Sequence, residues 1–219
     1  MEAIMGVMDG LAKGVDFATF VGKRDGDSNN FDLAGLRGCR LVTADESNEY
    51  ERLNAAKLKQ MTGGNVVRCS FKGKDHFEYV PSYKIVLVSN QPINADPDDS
   101  AVWARVRAVY FPNSHVGSEN VLLKEALRNP QAQAAILAWL VQGAQRFYKL
   151  SDAGQPMPQP AAVQAVTASQ RRMLDYVGQW LEECCVSTAE GFTSSKALHA
   201  SYDKWCRANG VEPKQQRGL

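Results

Sequence analysis

Two apolar segments of the chain each end in side chains that could take part in chemistry. The run RLVTA leads into Asp45 and Glu46, and the run KIVLVS leads into Asn90. Both runs predict buried strands, and ligands of open α/β sheets bind at the carboxyl ends of the strands. Carboxylates there could hold Mg²⁺, and a neighbouring amide could orient a water against a γ-phosphate. The pattern indicates a nucleotide-hydrolysing site, but acids after an apolar run also commonly mark only the end of a strand.

A third candidate group lies in the segment AVWARVRAVYFP, which is predicted as a strand with Arg105 and Arg107 on one face. Two guanidinium groups on one face need carboxylates, solvent or phosphate as partners. From the residues alone we favour carboxylates as the partners, so that Arg105 and Arg107 form salt bridges. The candidate carboxylates lie in the preceding loop: Asp96, Asp98 and Asp99.

The charge of the chain is balanced overall but uneven locally. The 219 residues carry 25 Lys+Arg and 24 Asp+Glu, a formal net charge of +1. Residues 25–51 contain seven acids and two bases, whereas residues 52–84 contain seven bases and two acids. A local basic segment can mark a contact with a phosphate backbone, although a solvated face is the commoner reason for such a run.

The elements that must position these groups alternate between strands and helices. Helices are predicted over residues 1–12 and 51–61, and a hairpin is predicted from NVVRCSF and HFEYV with the turn Lys72–Asp75 between them. Residues 119–149 predict two helices separated at Asn129–Pro130. A proline-rich linker follows, and then helices near 161–186 and 194–209.

Several classes of protein are excluded by composition. No apolar run approaches the roughly 20 residues that span a bilayer, and the acidic second residue makes a secretory signal unexpected. The five cysteines form no CxxC pair, so we expect reduced thiols rather than a zinc site.

The order of the motifs resembles the superfamily 3 helicase domain of phage- and plasmid-encoded primase–helicases. The resemblance rests on DLAGLRGCRLVTADES, RLNAAKLKQMTGG, YKIVLVSNQPI and VWARVRAVYF, and it covers residues 1–150. The tail LHASYDKWCRANG resembles the small winged-helix domain that often follows in this family. This family contains ATP-driven, hexameric motors that unwind DNA during replication.

The resemblance implies an α/β fold: an incomplete AAA+ type P-loop NTPase core with a β-hairpin insertion, followed by a small mainly helical, winged-helix-like module. The implied divisions are a core at 1–150, a linker at 151–162 and a truncated module at 163–219. The implied partners are single-stranded DNA and further copies in a ring, with no membrane. The implied location is the cytoplasm of a bacterial host, with a phage, prophage or plasmid origin.

The resemblance also assigns roles to single residues. Asp45 and Glu46 match the acids that bind Mg²⁺ and activate water, and Asn90 matches the sensor residue beside ATP. Arg105 resembles the arginine finger. Because the usual Trp-Arg-Arg has Ala104 as its second residue here, Arg107 is an alternative. The tip of the DNA-binding hairpin would be formed by Lys72, Lys74 and His76, for which a solvated turn remains the alternative.

One motif of the family has no match in the sequence. No segment reads GxxxxGK[ST], the loop whose amides and lysine hold the β- and γ-phosphates. We therefore expect that the chain starts just after this loop and neither binds nor hydrolyses ATP by itself. Two other classes stay open: a non-enzymatic module that binds DNA or joins a ring, and a metal-assisted phosphodiesterase using Asp45 and Glu46.

Overall fold

A three-stranded parallel sheet lies at the centre of the computed structural model, which describes residues 1–21, 31–45 and 52–214. The strands are β1 (Ala12–Gly14), β2 (Leu41–Asp45) and β5 (Lys84–Val88), in the order β1–β2–β5. Leu41 lies opposite Ala12 on one side of β2 and opposite Lys84 on the other. The fold is thus mixed α/β with a small parallel sheet, and both apolar runs predicted as strands are confirmed.

Strand β2 is covered on both faces, which explains why its sequence is apolar almost without interruption. On one face the Thr43 hydroxyl donates a hydrogen bond to Met5 Sδ at 3.1 Å. Met5 belongs to helix α1 (Glu2–Met8). On the other face Val42 and Ala44 are buried in the main core. Helix α1 therefore covers one face of the sheet, and the main core covers the other.

Helix α1 packs against the longest helix, α6 (Pro130–Asp152), which follows the short helix α5 (Leu123–Ala126). The Asn129 side chain accepts a hydrogen bond from the Ala132 amide at 2.9 Å, and Pro130 occupies the first turn. The predicted separation at Asn129–Pro130 is confirmed. Among the described residues, no helix combines the length and apolar composition that crossing a bilayer requires.

The hairpin predicted between residues 65 and 80 is present. Strands β3 (Val67–Cys69) and β4 (Phe77–Tyr79) pair antiparallel, with Arg68 opposite Glu78. The hairpin follows helix α3 (Ala55–Thr62). Its base is fixed by the Tyr79 hydroxyl, which donates to the Leu33 carbonyl at 2.8 Å in helix α2 (Phe31–Ala34).

The strand predicted for AVWARVRAVYFP is wrong. Ser100–Trp103 form helix α4, and residues 106–112 pair with no strand in the described part of the chain. The Asp99 carboxylate accepts a hydrogen bond from the Val102 amide at 3.1 Å, and Trp103 Nε1 donates to the Asp96 carbonyl at 2.8 Å. The first bond caps the start of the helix, and the second attaches the Trp103 side chain to the preceding loop. Together they outweigh the β-forming composition of the segment.

Three helices form the C-terminal part of the described chain: α7 (Ala161–Leu174), α8 (Tyr176–Cys184) and α9 (Ser195–Asn209). Helices α8 and α9 enclose a separate small core. Helix α7 is tied to the preceding residues because Thr167 Oγ1 accepts a hydrogen bond from the Ala108 amide at 3.0 Å. The predicted single helix over 161–186 is therefore two helices, with Asp175 between them capping α8.

Candidate functional site

The carboxyl ends of β2 and β5 bring two of the predicted site residues to one edge of the sheet. Asp45, the last residue of β2, lies directly opposite Val88, the last residue of β5. Asn90 follows Val88 by two residues, and Asp45 and Asn90 are both exposed. Glu46, the other predicted acid, lies outside the described residues. The Asp45 carboxylate therefore lies at the end of β2, and the Asn90 carboxamide lies two residues beyond the end of the adjacent parallel strand β5.

A tight turn follows β5 and determines where Asn90 leaves the sheet. The Ser89 hydroxyl donates to the Gln91 carbonyl at 2.8 Å and accepts from the Gln91 amide at 2.9 Å. Both bonds enclose Asn90, whose backbone is therefore bent immediately beyond the strand. Asn90 therefore lies in the first bend after the strand.

A cavity of about 810 Å³ opens at this edge, between α1, the sheet and the α5–α6 region. Because side chains alternate along a strand and Thr43 faces α1, Asp45 also faces α1. The cavity is lined by Met1, Glu2, Ala3, Gly6, Asp45, Val88, Lys124, Leu127, Arg128 and Gln133. It thus combines carboxylates with two cationic side chains.

The two cations of the cavity, Lys124 and Arg128, were not candidates in the sequence analysis. Lys124 Nζ lies 3.6 Å from Glu2 Oε1, and Arg128 Nη2 lies 3.9 Å from Glu2 Oε2. All three side chains are more than two-thirds exposed, so these ion pairs are weak and could be exchanged for an anionic ligand. Lys124 of α5 and Arg128 before α6 reach the cavity because this region packs against α1, and no local motif could have indicated it.

The residues at the edge are compatible with Mg²⁺, the ion that the resemblance implies. Mg²⁺ keeps several waters and binds through one or two carboxylates together with substrate phosphates. Asp45 offers such a carboxylate on an exposed edge, next to a cavity with room for phosphates. Among the described residues, no group of three or more His, Cys, Asp or Glu side chains is placed to hold a metal ion.

Arg105 and Arg107 are not paired with the acids that the sequence analysis favoured. Arg105 Nη1 donates to the Ala101 carbonyl at 2.6 Å, and Arg107 Nη1 donates to the Ala104 and Val106 carbonyls. The three carboxylates have other partners: Asp96 pairs with Arg52, Asp98 with Lys214 and Asp99 with Lys59. The expected salt bridges are therefore wrong.

The two arginines also lie in different surroundings. Arg107 lines a second cavity of about 660 Å³, formed with α7 and residues 156–159, in which Thr167 and Arg171 also take part. Arg105 is exposed beside α4. Both side chains are exposed, and the role of Arg105, or alternatively Arg107, as the arginine finger stays a prediction.

The predicted DNA-binding residues lie at the exposed tip of the hairpin. Lys72, Lys74 and His76 are all exposed. The tip is a tight turn in which the Lys74 amide donates to the Phe71 carbonyl at 2.9 Å. Gly73 has φ +73°, a conformation that favours glycine and that lets the chain reverse between the two lysines.

The comparisons with known proteins place this chain near viral proteins named as helicases. Residues 3–105 match the model of a family described as "Family of unknown function (DUF5906)". Over 203 residues, the chain is 26% identical to "Putative helicase 022R" of Frog virus 3 (isolate Goorha), a match covering 85% of this chain. It is 32% identical over 98 residues to "Putative helicase 184R" of Invertebrate iridescent virus 6, covering 42% of this chain.

A third relative is "Putative helicase L207/L206" of Acanthamoeba polyphaga mimivirus, 26% identical over 112 residues and 51% of this chain. The matches cover 20%, 10% and 12% of the lengths of these three relatives, in the order given. The chain therefore spans a fifth or less of each of these proteins. The similarity to these viral proteins is at 26–32% identity and concerns a limited part of each relative.

Proposed function

We propose that this chain is part of a nucleic-acid motor in which a nucleoside triphosphate binds at the carboxyl edge of the sheet. In this proposal the β3–β4 hairpin contacts single-stranded DNA. The similarity to proteins named as viral helicases supports the class. The observation that carries the proposal is the register of Asp45 against Val88, because it puts Asp45 and Asn90 at one sheet edge.

Each residue of the edge has a distinct role in the proposal. Asp45 and Glu46 hold Mg²⁺, which when bound neutralises phosphate charge and assists attack by water. Asn90 orients that water through its amide. Lys124 and Arg128 release Glu2 and bind the phosphate oxygens, since both already line the cavity that contains Asp45.

The finer features of the proposal rest on the resemblance. They are an AAA+ type core of superfamily 3, a winged-helix-like C-terminal module, and a hexameric ring of a phage or plasmid primase–helicase. In such a ring Arg105, or alternatively Arg107, reaches the triphosphate of the neighbouring subunit. The exposure of both arginines is compatible with this role. Because the sequence contains no GxxxxGK[ST], we expect no ATP hydrolysis by the chain alone.

The exposed hairpin tip also favours a second function, a non-enzymatic DNA-binding module. Lys72 and Lys74 flank Gly73 in the turn that joins the two strands of the hairpin, and both lysines are exposed. Phosphate contacts of this kind need no ATP. The two functions therefore share one test of DNA binding and differ in the test of hydrolysis.

DNA binding is tested by fluorescence anisotropy with a labelled single-stranded oligonucleotide at two or more salt concentrations. We expect salt-dependent binding that the double variant Lys72→Ala/Lys74→Ala weakens, with a salt slope reduced by about 1.4 for two lost phosphate contacts. The matched control is Arg146→Ala/Lys149→Ala on α6, which removes two exposed charges and should change little. Binding that does not depend on salt, or that the hairpin variant leaves intact, would contradict the role of the tip.

Hydrolysis is tested by phosphate release from Mg²⁺–ATP with and without the oligonucleotide. We expect background rates for the chain itself and for Glu46→Gln. Hydrolysis by the unchanged chain that Glu46→Gln abolishes would overturn the expectation that GxxxxGK[ST] is required. It would at the same time favour the motor over the binding module.

A further inference from the structure

The hairpin carries a row of aromatic rings that runs from the core to its tip. Tyr79 is anchored at the base by its hydrogen bond to Leu33. The ring centroids of Tyr79 and Phe77 are 6.4 Å apart, and those of Phe77 and Phe71 are 5.6 Å apart. These spacings lie in the range of favourable aromatic pairs, so each ring supports the next. The row makes Phe71 a fixed feature of the tip.

Phe71 is the last ring of this row, and about half of its surface is open to solvent. Its exposed fraction is 51%, whereas Phe77 and Tyr79 are half-buried against the main core. A single exposed phenylalanine is not unusual by itself. Here, however, the ring packs against Phe77, so its exposed part offers an apolar surface supported by a neighbouring ring.

Cationic side chains lie next to Phe71 in the sequence and beside the aromatic row. Lys72 and Lys74 follow Phe71 directly in the turn, and Asp75 is the acid of the tip. The guanidinium carbon of Arg37 lies 5.4 Å from the centre of the Phe77 ring, which brings a further cation to the aromatic row. Proteins that bind single-stranded nucleic acid combine the same two features, a cationic track for phosphates and aromatic rings on which bases stack.

We propose that Phe71 is a stacking platform for a nucleobase of single-stranded DNA. The base lies on the exposed face of Phe71, while Lys72, Lys74 and Arg37 contact the adjoining phosphates. This inference rests on the proposed DNA contact of the hairpin and adds a contribution from the bases that does not depend on charge. The hairpin therefore discriminates between a strand with bases and a bare sugar–phosphate backbone.

The experiment compares two labelled single strands of equal length, oligo-dT and an abasic deoxyribose-phosphate strand. We expect Phe71→Ala to weaken binding of oligo-dT about tenfold or more, with an unchanged salt slope, because stacking involves no counterion release. The same variant should bind the abasic strand as the unchanged chain does. Val80→Ala is the matched control, since Val80 is 54% exposed but lies beyond the base of the hairpin.

Phe71→Trp provides a second measurement that does not depend on losing a side chain. The larger ring should preserve or tighten binding of oligo-dT, and stacking should quench the fluorescence of the added indole with oligo-dT but not with the abasic strand. If Phe71→Ala binds oligo-dT as the unchanged chain does, or if the fluorescence of the Phe71→Trp variant responds equally to both strands, the stacking role is overturned. If neither strand binds at any salt concentration, the DNA contact of the hairpin itself fails.

Discussion

Single hydroxyl groups join segments that are far apart in the sequence. The Ser82 hydroxyl donates to the Cys39 carbonyl at 3.2 Å, and the Tyr79 hydroxyl donates to the Leu33 carbonyl. The Thr167 hydroxyl has two partners. It donates to the Val163 carbonyl at 2.7 Å and accepts from the distant Ala108 amide. Since Ala108 is buried, its amide depends on Thr167 for a partner.

At Thr167 we predict that the hydroxyl matters more than the shape of the side chain. Thr167→Val retains the shape but leaves the buried Ala108 amide without its acceptor, so the free energy of unfolding should fall by about 1–3 kcal/mol. Thr167→Ser retains the hydroxyl and should lose less. Urea denaturation followed by tryptophan fluorescence measures both. Equal losses for the two variants would show that the hydrogen bond contributes nothing.

Among the helices, the N-terminal caps explain where several of them begin. Asn54, Asn129, Asp175 and Ser194 each accept a hydrogen bond from the amide three residues later. These residue types are the preferred caps, and they satisfy amides that have no partner within the helix. At the cap of α8, a Cβ built on Gly178 would collide with the Asp175 carboxylate.

Two helical glycines should therefore respond differently to alanine. At Gly143 in α6 a Cβ meets nothing within 4 Å, so Gly143→Ala should stabilise the protein by about 0.5–1 kcal/mol. Gly178→Ala should give no such gain, since the new methyl displaces the Asp175 carboxylate and the lost cap offsets the helix propensity. Thermal unfolding of both variants measures the difference, and an equal gain at the two sites would contradict it.

The elements that the sequence predicted well are those with a strong local signal. Strands β2 and β5 are uninterrupted apolar runs, and the hairpin has a glycine turn between two β-rich segments. Strand β1 was missed because Ala12-Lys13-Gly14 has no β-forming side chain, and it pairs only because β2 lies beside it. Helix α4 was predicted as a strand because Asp99 and Asp96 determine its start through bonds that composition does not reveal.

The residues of the candidate site also fall into two groups, those with a local sequence signal and those without one. Asp45 and Asn90 were predictable because Asp45 ends one recognisable strand and Asn90 closely follows the end of another, and parallel pairing brings such ends together. Lys124 and Arg128 come from a region more than 75 residues later in the sequence than Asp45, and the packing of this region against α1 brings them to the cavity. A contact between helices of this kind leaves no periodic trace near the site residues.

Across the whole molecule, the loop at residues 96–99 connects three regions. Asp96 pairs with Arg52 at 2.9 Å, Asp98 pairs with Lys214 at 2.8 Å, and Asp99 pairs with Lys59 of α3 at 2.6 Å. Arg171 Nε of α7 donates to the Pro97 carbonyl at 2.7 Å. The loop thus binds the C-terminal helices and α3 to the same short stretch that follows Asn90.

The Asp99 carboxylate should make stability depend on pH. Its hydrogen bond with Lys59 lowers its pKa, so its contribution is present above about pH 4 and is lost as the pH falls through the lowered pKa. Asp99→Asn keeps the capping ability and removes the charge. Its urea midpoint should therefore lie below that of the unchanged chain at pH 7 and approach it at pH 3.

Asp98→Asn is the control for this comparison, because the side chain of Asp98 is 71% exposed and its pair with Lys214 should contribute little at either pH. A difference between Asp99→Asn and the unchanged chain that is the same at pH 7 and pH 3 would show that the charge of Asp99 is not what stabilises the loop.

The order of the central strands has a consequence for how the chain acquires its fold. Pairing β1 with β2 closes a loop between partners 41 − 12 = 29 residues apart in the sequence. Pairing β2 with β5 closes a loop between partners 84 − 41 = 43 residues apart. The entropy lost in such closures comes before any ladder bond is gained, whereas the β3–β4 hairpin and the α8–α9 pair form between near neighbours. We therefore expect the β3–β4 hairpin and the α8–α9 pair to fold first. The central sheet, with the edge that bears Asp45 and Asn90, should form late, after both long loops have closed.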